Sequence, residues 1–93
     1  MDDEQKQLRV MARARKAQLL VENDAFRDAK EYIKKEMHDR WMSSQNLEER
    51  ERIWLILQAL ERLDNVLALF MRDGKVSKAV LDKLAEDRRS KAA

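Results

Sequence analysis

The stretch Ile53–Met71, IWLILQALERLDNVLALFM, decides how this chain is read. Fourteen of its 19 residues are apolar, in a protein of which 41% of residues are charged. An amphipathic helix needs one apolar stripe to dock on a neighbour. At 100° per residue, Ile53, Ile56, Leu60, Leu63, Leu67 and Phe70 line up with alternating spacings of three and four, and Leu55, Ala59, Val66 and Met71 widen the stripe. That surface exceeds what a single partner helix covers. The length would suit a membrane span, but Glu61, Arg62, Asp64 and Asn65 sit in its middle, where charge costs a few kcal/mol each in lipid. A water-exposed helix is expected, with no membrane partner.

Composition outward from this stretch narrows the class. Ninety-three residues allow one small domain, here expected over residues 1–93. No proline and a single glycine, Gly74, leave little with which to build sheet turns. Ala, Leu, Glu, Lys, Arg, Gln and Met dominate, so the fold class is all-α. The absence of cysteine removes disulfides and thiolate chemistry and suits a reducing compartment such as the cytoplasm. The opening MDDEQKQ is acidic and polar, unlike a secretory signal.

Four helices are expected. The first covers residues 4–21. Asn23 and Asp24 offer caps to a second over residues 25–42, and Asn46 with Glu49 resembles a capping box for a third over residues 47–72. Gly74 is placed to end the third in a left-handed conformation, followed by a short fourth helix over residues 77–88 and a frayed tail over residues 89–93. The four-residue connection makes helices two and three an antiparallel hairpin, and helix three outruns its partner. Helix four would cover the overhang through Val76, Val80, Leu81 and Leu84. Helix two presents Phe26, Ala29, Ile33, Met37 and Trp41 on one face, with Arg27, Glu31, Lys34, Lys35 and His38 opposite. Helix one carries two weak stripes, Val10/Ala14/Ala17/Val21 and Leu8/Ala12/Leu19; the small residues of the first permit a close approach to another helix. It is read as a further bundle helix rather than an arm that orders on a partner.

No residue constellation reads as an active site, and no catalytic, cofactor or metal residue is assigned. His38 is the lone histidine, and there is no cysteine to complete a metal set. Glu48/Glu49 and Glu86/Asp87 stand beside basic residues, as caps and ion pairs do, and no glycine-rich phosphate loop exists. A non-enzymatic protein acting by protein–protein contact is expected, self-associating as an oligomeric bundle. The residues expected at the interface are Trp41, Trp54, Leu57, Leu60, Leu67, Leu69 and Phe70; Trp54, Leu57 and Leu69 lie beyond the main stripe, where a partner should first be sought. The alternative is a nucleic-acid adaptor. Lys6, Arg9, Arg13 and Lys16 fall within one arc of helix one and could track phosphates. Residues 1–22 carry five bases but also four acids, and no aromatic is interleaved for stacking, so the stripe is read first as a solvated face.

RERIWLILQALERLDNVLALFMRDGKVSKAVLDKL (residues 50–84), preceded by a helix bearing Trp41, resembles short helical proteins of tailed bacteriophages. The likeness spans about Ala17 to Leu84 and rests on Arg50, Arg52, Trp54, Leu57, Leu60, Leu63, Gly74 and Lys75. It implies a viral origin and a role in phage assembly or in binding a host factor, in the virion or the host cytoplasm. It implies no catalytic residue.

Overall fold

A computed structural model describes residues 2–92, which form three helices: α1 (Asp2–Val21), α2 (Asp24–Ser43) and α3 (Leu47–Ala92). No strand occurs among the described residues. The turns lie where side-chain oxygens can satisfy the first free N–H groups of the next helix. Asn23 caps α2, its Oδ1 accepting from the Phe26 N–H at 2.8 Å. Asn46 caps α3, accepting from the N–H groups of Glu48 and Glu49 at 2.9 and 3.2 Å. The return half of the expected capping box runs through a third residue: the Asn46 N–H donates to Ser44 Oγ, and that hydroxyl donates to Glu49 Oε2, each at 3.2 Å. Ser44 is buried, and its carbonyl accepts from Arg50 Nε at 2.9 Å. Arg50 also lies over the Trp41 ring, 5.4 Å from its centroid, tying both sides of the turn together.

Beyond residue 72 the expectation fails. Gly74 does not terminate helix three; no glycine among the described residues has a positive φ, and α3 continues without a break. The segment 77–88 is therefore part of α3 rather than a separate helix, and residues 89–92 of the expected frayed tail are helical too. Val76, Val80 and Leu84, which a folded-back helix four would have buried, are exposed. Lys75, Lys78 and Ala79 favour helix and no proline follows, so one glycine, worth about 1 kcal/mol against alanine, does not stop it.

By their contacts the residues divide into two units. One comprises the residues up to Leu19 with those from Leu67 onward; the other is Leu20–Val66. In the second unit α3 presents Arg50, Ile53, Leu57, Leu60 and Asp64, spaced 3-4-3-4 and all buried or half-buried. Across from them α2 presents Phe26, Lys30, Lys34, Met37 and Trp41. This face of α3 is turned by about 60° from the expected stripe, at 100° per residue. Leu57 is consequently half-buried instead of lying outside the packed face, while Ile56 and Leu63 are exposed. On α2, Ala29 and Ile33 are likewise exposed, and Lys34 belongs to the packed side.

A charge cluster lies within this seam. The Lys30 ammonium donates to Asp64 Oδ1, and Lys34 stands 3.8 Å from Asp64 Oδ2. Lysine stems can cover apolar surface while their ammonium groups reach a carboxylate, so the seam keeps apolar contact around a polar centre.

In the first unit α1 packs on the later part of α3. Val10, Met11, Ala14 and Ala17 face Leu67, Phe70, Met71, Gly74 and Ser77, with Ala17, Leu67, Gly74 and Ser77 buried. The expected small-residue stripe of helix one is thus its packed face, apart from the exposed Val21. A Cβ built on Gly74 would overlap the Ala14 Cβ and stand 3.7 Å from the Ala14 Cα. Glycine is required here for close approach rather than for a turn. Glu4 pairs with Arg88, and Arg13 stands 3.9 Å from Asp73.

Gly74→Ala isolates this contact. Helix propensity alone would raise stability by about 1 kcal/mol. Overpacking against Ala14 costs about 1–3 kcal/mol and should win. Urea denaturation should therefore show a net loss of up to roughly 2 kcal/mol, restored in part by adding Ala14→Gly. A Gly74→Ala protein more stable than the parent would show that α1 does not approach α3 there.

Candidate functional site

Two surfaces carry unsatisfied recognition potential, one in each unit. In the second unit, the side of α3 next to its packed face exposes Leu55, Ile56, Ala59 and Leu63. A groove of about 370 Å³ beside Ile56 is lined by Met37 and Arg40 of α2, by Asn46, and by Glu49, Arg52, Ile53 and Ile56 of α3. Arg40 and Ile56 thus border the same side of the helix pair, and Ile33, seven residues before Arg40, falls on that side of α2. The result is an apolar row, Ile33, Ile56 and Leu63, flanked by arginines. Only Ala17, Met37, Ile53 and Leu67 are buried apolar side chains among the described residues, whereas sixteen large apolar residues are exposed. Burying a leucine-sized side chain is worth about 1.5–3 kcal/mol, so much of this chain's apolar surface is available to further contacts.

The residues expected at a protein interface divide by position. Trp54, 52% exposed, and Leu69 are open to solvent. Trp41 is half-buried beneath Arg50, and Leu57 and Leu60 are half-buried in the packed face toward α2. Leu67 is buried, and Phe70 is half-buried beneath Arg13, whose guanidinium lies 4.1 Å from the ring centroid. Five of the seven therefore pack in the seams of their own helices. Ile33, Ile56 and Leu63 form an exposed row that pattern reading placed in packed stripes, because it could not fix the rotation of each helix about its axis.

The basic stripe of α1 is likewise divided. Lys6, Arg9 and Lys16 are exposed, but Arg13 is engaged with Phe70 and Asp73 of α3. A different set of cations converges in the first unit. An open groove of about 600 Å³ runs between α1 and α3, lined by Met11, Ala12, Ala14, Arg15, Gln18, Met71, Gly74, Lys75 and Lys78. Three of these are basic and none is acidic. Arg15, Lys75 and Lys78 enter none of the ion pairs among the described residues. Sequence reading missed this convergence, since α1 meets Lys75 and Lys78 only when the helix continues through Gly74. Its trace was the second stripe of helix one, whose Ala12 lines the groove.

His38 is exposed on α2. No group of three His, Asp or Glu side chains placed to hold a metal ion occurs among the described residues, and no described helix is long and apolar enough to cross a membrane. Compared with known protein families, with curated proteins and with solved structures, the chain matches none.

The two fates of the α1 arginines can be separated by stability. Arg13→Ala removes the contact with Phe70 and should lower the unfolding free energy by about 0.5–1.5 kcal/mol. Arg9→Ala, at a solvated position, should stay within about 0.5 kcal/mol of the parent. Equal urea midpoints for the two variants would mean that Arg13 is no more structural than Arg9.

Proposed function

We propose that this chain is a non-enzymatic helical protein that works through protein–protein contacts and self-associates through the second unit. On this reading α2 and the first half of α3 act as an antiparallel hairpin, and the row Ile33, Ile56 and Leu63 meets the same row of a second copy. The observation that carries the reading is the exposure of this row beside the buried Ile53 and Met37. A two-fold contact places one patch against itself, and an apolar row of isoleucine and leucine suits that arrangement. Trp54, on another part of α3, adds an exposed aromatic of the type that anchors interfaces. The resemblance of residues 50–84 to short helical phage proteins supports a setting in virion assembly or in contact with a host factor.

Sedimentation equilibrium at roughly 10–100 µM should detect an oligomer of the parent protein, the range suiting a micromolar contact. Ile56→Lys combined with Leu63→Lys should yield a monomer with unchanged helical circular dichroism, because both positions are exposed within one chain. A monomeric parent protein overturns the proposal. So does an oligomer indifferent to both lysines.

A further inference from the structure

The groove between α1 and α3 in the first unit has a floor and a rim of different chemistry. Met11 and Met71 form an apolar floor together with the small residues around Gly74, and Arg15, Lys75 and Lys78 stand along it. Each helix contributes a regular edge. On α1, Leu8, Ala12, Arg15 and Leu19 are spaced 4-3-4, and Leu8 and Leu19 are 57% and 56% exposed. On α3, Met71, Lys75 and Lys78 are spaced 4-3. These are the spacings with which a helix meets another helix, and here no helix of the unit lies against them.

We propose that this groove receives one further helix from a partner protein, an acidic amphipathic helix that completes a three-helix bundle with α1 and α3. Its apolar face would rest on Met11, Met71 and the Leu8/Ala12/Leu19 edge; its flanking carboxylates would meet Arg15, Lys75 and Lys78. Methionine side chains adapt to varied apolar partners, as helix-binding grooves require. The three cations enter no ion pair among the described residues, so a partner's acids would not displace existing ones. A nucleic acid fits the groove less well: phosphates gain nothing from an apolar floor, and no aromatic residue lines it for base stacking. The site is separate from the self-contact row, so each can fail without the other.

The test uses the full chain and a fluorescein-labelled synthetic helix of about 18 residues, with leucines on one face and glutamates flanking them. Fluorescence anisotropy should show saturable binding that weakens as salt is raised from about 50 to 300 mM. Lys75→Glu with Lys78→Glu should weaken binding at least about tenfold while leaving circular dichroism and the sedimentation behaviour unchanged, since both lysines are exposed. Leu8→Ser with Leu19→Ser should also weaken it, and that loss distinguishes groove binding from charge attraction alone. Equal binding of a leucine/lysine helix, or indifference to the lysine reversals, overturns the proposal. It is also overturned if single-stranded DNA or anionic vesicles bind the groove in place of the acidic helix, or if the lysine reversals dissociate an oligomer of the parent chain.

Discussion

The contact of Ala14 with Gly74 governs what the first unit can be. A glycine inside an exposed helix costs about 1 kcal/mol relative to alanine, and that cost is offset only if the missing side chain permits something else. Here it permits α1 to approach α3 so closely that a methyl group would not fit. The approach buries Ala17, Leu67 and Ser77 and sets Arg13 over Phe70. It also brings Met11 and Arg15 alongside Met71, Lys75 and Lys78. Were α3 to end at Gly74, neither the packing nor the groove would exist.

In the second unit the corresponding constraint is electrostatic. Asp64 in the apolar seam must be matched, and Lys30 and Lys34 are the α2 residues that match it. Pairs of this kind contribute little net energy near a surface, but an unmatched charge in a seam is costly. With Asp64 35% exposed, the pairs accompany the observed rotation of α2 and α3 and add little stability. In that rotation Ile56, Leu63 and Ile33 are exposed, so the apolar row lies beside the charged seam.

Both surfaces are consequences of helix orientation, and neither coincides with the residues that periodicity alone marked. The apolar stripe of Ile53–Met71 contains too many candidates for its inward side to be chosen from spacing. Leu57 and Leu60 turn inward, Ile56 and Leu63 outward, and the difference is about 60° of rotation on a 100° step. Among the cations, Arg13 and Arg15 are two residues apart and meet opposite fates, one stacked on Phe70 and one unpaired at the groove.

What the sequence determined by itself is the local structure. Helix-forming composition, the absence of proline, and the caps Asn23 and Asn46 place the helices and turns as far as residue 72, because these are interactions within a few residues. The small-residue stripe of α1 was legible as a packing face for the same reason. Only the tertiary structure decided the role of Gly74, since glycine is compatible with a helix end and with a close crossing, and the choice rests on Ala14, sixty positions away. It likewise decided which side of α3 is covered, because that side depends on contacts between helices and not along one.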